Sequence, residues 1–394
     1  MAYIMHIYSS KEENEVEGFE VSEIVHDIDH TTSLTGQAGK LTFTLEKDLK
    51  NELSINVGSL VKFWNLDSLT KKKTPIFMGY VFTISVNNED NYRIVAYDQT
   101  RYLQNHTMFV LEEDKMDLIE VFEHFCKTYK LNYNEEFKWK TVGDLLKITK
   151  NVFPDNSVFD ILQYCMSDAD TRYVSTKVKM NGISFPFQKF YIKDNFGKLE
   201  LREIAYDYVY DEYGAEKNDA LIIGDESLLT TYDYSVDIDK DTYNEIIFTY
   251  NEKSKSSSKS NKQVDKKRVV AVIQAGTEIK DTKTNLDGTT IGEDTIPKWG
   301  ILSKLVEVND ISDKDMLGLY YKDVLELSNN PTHSMRLSAI GYDGIIAGSS
   351  FVLKLDKLKI NYPVYVVSAT HHYNADIHTM DLEVNTNTEI EVFK

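Results

Sequence analysis

The stretch Pro75-Ile76-Phe77-Met78-Gly79-Tyr80-Val81-Phe82 is almost continuously apolar. It reads as a β-strand covered on both faces, because a half-exposed strand alternates instead. Upstream, Leu60-Val61-Lys62-Phe63-Trp64 reads as a strand, and Leu41, Phe43 and Leu45 alternate with Thr42, Thr44 and Glu46. That alternation puts one face in a core and the other in water. Downstream, Asn87-Asn88-Glu89-Asp90-Asn91 is a turn cluster from which Tyr92 to Tyr97 returns. From Val16 to Tyr97 the pattern predicts five or six antiparallel strands, a small barrel or sandwich filling residues 1–105.

Beyond Asn105 the period changes. Leu118, Ile119, Phe122, Phe125, Cys126 and Tyr129 form one helical stripe. Ser157-x-x-Asp160 has the spacing of a capping box, with Ile161, Leu162, Cys165 and Met166 as the apolar face behind it. Phe190-Tyr191-Ile192 and Leu199-Glu200-Leu201 flank Asp194-Asn195-Phe196-Gly197, which predicts a hairpin. An α+β middle domain over 106–222 follows, and strands return near Thr230 in a second β-barrel-like domain over 223–394. Within the latter, 252–267 is Ser/Lys-rich and reads as a disordered loop. Ser312-x-x-Asp315 opens a helix near 312–328, stopped before Pro331. The fold class expected is α+β and β-rich, with two related small antiparallel β-barrel-like domains flanking the middle one.

The relatedness comes from an internal repeat. Pro75–Val81 matches Pro363–Ala369, and at the same offset of 288 Ile94 meets Leu382 and Ala96 meets Val384. Gly58-Ser59-Leu60-Val61 matches Gly348-Ser349-Ser350-Phe351. Asp27-Ile28-Asp29 before Phe43-Thr44 echoes Asp237-Ile238-Asp239 before Phe248-Thr249. Any two hairpins share alternation; several features in one order favour duplication, a device for geometry rather than chemistry.

Composition agrees with a structural role. At 394 residues the chain exceeds the roughly 250–300 at which one core stops growing. Apolar residues make up 42%, and the 25 Tyr and 18 Phe suit pleated surfaces. A net charge of −19 disfavours phosphate backbones and anionic membranes, so no specific nucleic-acid binding is expected. Met1 to Ser10 lacks the marks of a signal peptide, and no apolar run approaches the roughly 18 residues of a membrane span. Cys126 and Cys165 sit singly in apolar helical patterns, as buried, reduced residues do.

Motifs that carry chemistry fail one by one. Gly36-Gln37-Ala38-Gly39-Lys40-Leu41-Thr42 has two residues between its glycines where a phosphate loop needs four, and a strand follows. Asp237-x-Asp239-x-Asp241 lacks the glycine and the bidentate glutamate of a calcium loop, and alternation with Val236 and Ile238 makes it an exposed strand face. His371-His372-Tyr373-x-x-Asp376-x-His378 is the best metal candidate, but adjacent histidines on a strand point to opposite faces. The basic cluster Lys253–Arg268 reads as a solvated loop. No catalytic residue, cofactor or metal ligand is expected, and the chain is read as a non-enzyme.

The run from Pro75 to Phe82, leading to Ala96-Tyr97-Asp98-Gln99-x-Arg101-Tyr102-Leu103-x-Asn105, resembles the XkdQ/YqbQ proteins. These are hub proteins of contractile phage tails and phage-tail-like bacteriocins, similar in turn to late-control D proteins. Gly39–Phe43, Phe159–Leu162, Tyr191–Leu201 and His371–Val384 resemble further parts of that family. The loop 252–267 and the stretch 277–296 match nothing in it. The resemblance implies a homotrimer whose paired β domains make a six-unit ring, joining a six-fold inner tube or tube initiator to a three-fold central spike. It further implies tape measure and baseplate wedge proteins as partners, and a place in the tail baseplate after assembly in the host bacterial cytoplasm. An acidic channel wall would let DNA pass without sticking. Competing readings are a tail-associated cell-wall hydrolase, which lacks a catalytic constellation here, and a receptor-binding tail protein, for which a fibrous or repeat-rich sequence is expected.

Overall fold

A computed structural model describes residues 2–9, 18–34, 36–45, 55–66, 72–86, 91–107, 116–135, 156–173, 179–180, 183–184, 190–204, 209, 220–239, 242–252, 266–280, 286–307, 318, 321–322, 324–326, 328–374 and 377–385. The chain divides into two compact units: residues 1–170, 178–234 and 334–394 form one, and 171–177 with 235–333 the other.

The first half of the larger unit is built from β1 (Ala2–Tyr8), β2 (Phe19–Glu20), β3 (Val25–Ser33), β4 (Lys40–Leu45), β5 (Leu60–Leu66), β6 (Lys73–Val86) and β7 (Tyr92–Tyr97). They lie in the order β3-β4-β7-β6-β5-β1-β2, every pair antiparallel. Leu41, Phe43 and Leu45 are fully buried, as their alternation predicted, but Thr42, on the face expected in water, is buried as well. β6 differs from its sequence reading. Phe77 and Val81 are buried, while Ile76, Met78 and Tyr80 are only partly covered, so the strand is sealed on one face. β1 was not foreseen; its Met5 and Ile7 enter the core through pairing with Phe63 and Val61 of β5. The turn expected at Asn87–Asn91 lies, except for Asn91, outside the described residues.

The chain then leaves the sheet through α1 (Thr100–Asn105), α2 (Leu118–Thr128) and α3 (Val158–Tyr173), the short strands β8 (Lys179–Met180) and β9 (Ile183–Ser184), and the hairpin β10 (Phe190–Asp194)–β11 (Leu199–Glu203). Both longer helices start on reciprocal caps. Glu120 N donates to Asp117 and Asp117 N to Glu120, while Asp160 N donates to the Ser157 hydroxyl and Ser157 N to Asp160. The predicted apolar stripes meet in one core of Leu118, Phe122, Phe125, Ile161, Leu162 and Met166, which also buries Cys126 and Cys165.

The second half takes β12 (Ile222–Gly224), β13 (Leu229–Asp237), and, after the smaller unit, β17 (Thr332–Ile340), β18 (Ser350–Leu355), β19 (Ile360–Asn374) and β20 (Ile377–Asn385). β3 of the first half pairs antiparallel with β19, and both halves thereby form one 13-stranded sheet. The fold is β-rich α+β around a large curled antiparallel sheet.

The smaller unit holds β14 (Glu245–Glu252), β15 (Lys266–Gln274), α4 (Ile296–Trp299) and β16 (Ser303–Glu307). Its core joins Ile246, Phe248 and Ile273 to Tyr321 and Leu325, with the Phe248 and Tyr321 rings stacked at 3.8 Å. Residues 318, 321–322, 324–326 and 328 are helical, where a helix near 312–328 was expected; Ser312 and Asp315 lie outside the described residues. So do 253–265 of the Ser/Lys-rich segment, whereas 266–268 open β15. The stretch 277–296 ends beside Asn244, whose fully buried amide donates to the Thr295 hydroxyl (3.2 Å) and Gly300 O (2.8 Å) and accepts from Leu302 N (2.8 Å).

Pairing partners fix which positions of the two halves correspond. Tyr80 pairs with Leu60 and Tyr97; Tyr365 pairs with Ser350 and Asn385. Both β6–β7 and β19–β20 then skip a residue, at Phe82 and at Val367. Both halves also enter β5 or β18 through the same turn. Gly58 N donates to Val81 O (2.7 Å) and Gly348 N to Val366 O (2.8 Å), at φ values of 91° and 89°. Ser59 Oγ accepts from Asn56 N and Ser349 Oγ from Ile346 N, each at 3.1 Å.

The predicted equivalences Ile94–Leu382, Ala96–Val384 and Gly58–Gly348 stand. Two others do not. Pro363 pairs with Val352, the counterpart of Lys62, and Lys62 pairs with Met78, so Pro363 corresponds to Met78 rather than Pro75. The hairpins differ in length: Val81 pairs with Ala96, 15 residues on, and Val366 with Val384, 18 residues on, so the offset of 288 that relates β7 to β20 is 285 between β6 and β19. The echo between Phe43 and Phe248 also fails. Phe248 belongs to the smaller unit, and the counterpart of Phe43 is Leu337, which pairs with Leu382 as Phe43 does with Ile94.

Candidate functional site

Two side-chain clusters hold the larger unit together, and both contain residues singled out in the sequence. The first lies where β3 meets β19. His371 pairs across the strands with His30 and Met380, and His378 with Tyr373. His371 and His372 do point to opposite faces: the first is buried and the second half-exposed. His371 Nε2 lies 2.6 Å from Ile345 O, which can only accept, so this nitrogen carries the proton. His371 Nδ1 then accepts from His378 Nε2 at 2.9 Å. This leaves the buried His378 Nδ1 as a lone pair, 3.6 Å from Asp343 Oδ1. Asp343 accepts from the Tyr373 hydroxyl at 3.0 Å and from the Asn65 side chain. His30 stacks on His371 at 6.2 Å and meets the Phe77 ring edge-on at 5.6 Å.

Burial governs the protonation of this cluster. It depresses His30 to about 3, helped by His371 and His378, and depresses His378 to about 3 as well. Burial also lowers His371, against the pull of the Ile345 carbonyl and Asp343. The three are neutral imidazoles at neutral pH. His372 behaves oppositely. Partial burial disfavours its charge, yet hydrogen bonds to Asp29 (2.7 Å) and Asp381 (3.2 Å) prevail and raise its pKa. Among the described residues no group of three or more His, Cys, Asp or Glu is arranged to hold a metal; Asp376 lies outside them.

The second cluster explains the Asp98-Gln99 signature. Asp98 follows β7 and accepts from Gly39 N (2.9 Å), Thr100 N (2.9 Å) and the Thr100 hydroxyl. Gly39 lies so close to this carboxylate that a Cβ there would collide with it. Gln99 N donates to Asp194 Oδ2 at 3.1 Å, Gln99 Nε2 donates to Gly197 O at 2.5 Å, and Gln99 Oε1 accepts from Asn132 N at 3.2 Å. Leu103 enters the helical core, and Gln104 Nε2 donates to Gly36 O at 2.7 Å. The signature therefore ties β4, the β10–β11 turn and the loop after α2 to one point. Burial raises Asp98, with Asp194 adding repulsion, and burial raises Asp194 too. Both carboxylates line a cleft with His30, Phe77, Tyr191 and Ala347.

The remaining motifs are scaffold. Gly36, at φ 80°, turns the chain into β4, as read from the sequence. Asp237 ends β13 and Asp239 lies in a bend beyond it, so the expected strand face stops at Asp237; Asp241 lies outside the described residues. Sequence reasoning missed His30 and Asp343 and read Asp194 only as the start of a hairpin turn. Each acquires its role from a partner far along the chain.

A duplicated antiparallel sheet half, interrupted by a helical and hairpin segment, is a fold shared with prophage tail proteins. The chain covers 98% of itself and 97% of a tail protein from Neisseria meningitidis MC58 at a TM-score of 0.56 and 12% identity. For the 43 kDa tail protein of prophage MuSo2 from Shewanella oneidensis the TM-score is 0.53, with 98% of each chain covered at 9% identity. For prophage tail protein gp18 from Listeria monocytogenes EGD-e it is 0.54, covering 99% and 96% at 12% identity. No curated protein sequence matches the chain. The chain belongs to the YQBQ-like family, whose model matches residues 28–271 and 268–385, so that 252–267 and 277–296, expected to match nothing, fall within it.

Proposed function

We propose that this protein is a structural component of a phage-type tail, and specifically its central hub, joining a six-fold inner tube to a three-fold spike. The observation that carries the reading is the duplication. One chain presents two sheet halves with the same turn and the same skipped residue. Three such chains would offer six nearly equivalent surfaces to a tube while keeping three-fold symmetry toward a spike. The YQBQ-like family and the tail-protein fold support the tail setting. On this reading the chain is not an enzyme. Its partners are two further copies, the spike, the tube or its initiator, the tape measure and the baseplate wedges, met during assembly in the bacterial cytoplasm. The acidic balance of −19 suits a channel past which DNA slides without adhering.

Light scattering of the purified chain, alone and mixed with the spike protein encoded beside it, tests the proposal. A trimer, or a three-to-three complex, is expected. A monomer that also ignores the spike overturns the hub reading.

A further inference from the structure

The correspondence between the halves identifies an unmatched pair of strand edges. By pairing partners, Thr83, Ile84, Ser85 and Val86 are the counterparts of Ser368, Ala369, Thr370 and His371. Ser368 to His371 carry β20 on one side and β3 on the other. Thr83 to Val86 carry β7 on one side; on the other, β5 ends opposite Tyr80, and no strand follows among the described residues. Burial records the difference. Ala369 and His371 are buried, whereas their counterparts Ile84 and Val86 are half-buried and 55% exposed; Thr83 and Ser85 are exposed where Ser368 and Thr370 are half-buried.

The missing strand has an equivalent elsewhere in the chain. β13 lies next to β17 as β3 lies next to β4, and it ends the order of the sheet, with no strand on its outer side among the described residues. Its Thr230, Thr231 and Asp233 are exposed. Among the described residues, each chain thus carries a β3-like strand without a β19-like edge beside it, and a β19-like edge without a β3-like strand. Open edges of this kind are templates for pairing.

We infer that β13 of one copy adds antiparallel to the Thr83–Val86 edge of β6 in a second copy, repeating between chains the β3–β19 joint found within each. The turns agree. At the inner joint Ala347 N donates to the Thr32 hydroxyl at 2.9 Å, and the Ala347 side chain is buried against Leu34 and Tyr365. Its counterpart Val57 is 67% exposed and would meet the end of the neighbour's β13, where Val236 is 38% exposed. Because strand and edge are different surfaces, the contact is head-to-tail, and its repetition builds a ring where the rotation closes. The pairing rests on the fold; only the closure at three copies rests on the hub reading.

Paired cysteines test it. Ser85→Cys is combined with Ser235→Cys or with Asp233→Cys, and, as a control, with Glu20→Cys on the exposed strand β2. Native Cys126 and Cys165 are buried and do not compete. Mild oxidation of the full-length chain, purified and in tail particles from cells that encode it, is followed by a non-reducing gel. A ladder of covalent multimers with a β13 cysteine, lacking in the Glu20→Cys control, is expected. Particles that contain the chain but give no ladder, or an equal one with Glu20→Cys, overturn the pairing. Particles without the chain overturn the tail reading instead. The purified protein then decides alone: a ladder upholds the pairing, and a monomer without one overturns it.

Discussion

The two halves of the sheet are the same construction placed in different surroundings. Their turns agree to within 0.1 Å in the leading hydrogen bond, 2.7 Å from Gly58 and 2.8 Å from Gly348. Yet the tip of one turn is exposed at Val57, and its counterpart Ala347 is buried. Backbone geometry follows from strand pairing and is shared; burial follows from what the neighbouring chain segment covers and is not. Which counterpart residues tolerate change therefore depends on coverage rather than on position in the repeat.

The largest effects should fall equally on both halves. Phe43 and Leu337 are counterparts at 0% and 1% exposure. Phe43→Ala should cost about 3–5 kcal/mol and Leu337→Ala about 2–5 kcal/mol, read as lowered urea midpoints. Because β3 and β19 join the halves, both variants should shift a single transition of the larger unit. If one variant splits that transition, the halves unfold separately and the comparison breaks. The glycines come next. Gly58→Ala and Gly348→Ala each force a side chain into left-handed backbone, about 1–2 kcal/mol. A Cβ on Gly58 meets nothing within 4 Å, while one on Gly348 collides with the Tyr191 ring. Gly348→Ala should therefore be the more destabilising of the two, and equal midpoints would show that Tyr191 yields freely.

Much of this was legible beforehand where local pattern and long-range pairing coincide. Leu41, Phe43 and Leu45 spell a half-buried strand, and Asp160 three residues after Ser157 spells a helix start. Hairpin length is a different matter. Three more residues between Val366 and Val384 than between Val81 and Ala96 leave the local pattern intact but move Pro75 out of step with Pro363. β1 escaped notice because its partner β5 lies far along the chain. The Asp98-Gln99 stretch was recognisable as a signature, but its role depends on Gly39, Asn132, Asp194 and Gly197, which a single sequence does not bring together.

Acid should sharpen the contrast at the inner joint. His30 falls from 6.5 to about 3 on folding, so the unfolded chain binds the proton first. The stability is fully present above pH 6.5 and is lost as pH falls toward 3; at pH 5 one such histidine forfeits up to about 2 kcal/mol. His30→Phe keeps an aromatic ring beside Phe77 and removes that titration. Its urea midpoint should fall less than wild type between pH 7.5 and pH 5. Parallel pH profiles would mean that His30 does not titrate as a buried neutral imidazole.

The smallest effect has the opposite sign and lies one residue away on the same strand. His372 is raised by Asp29 and Asp381, so its contribution is fully present below the unfolded value of 6.5 and is lost as pH rises through its folded pKa. The side chains of His372 and Asp29 are 31% and 41% exposed, and water screens them, so Asp29→Asn should cost less than about 1 kcal/mol. The loss should appear at pH 5.5 and vanish at pH 8.5, the reverse of the His30 profile. A cost equal at both pH values would show that Asp29 acts on the β3–β19 joint as a hydrogen-bond acceptor alone. The charge of His372 would then contribute nothing to holding the halves together.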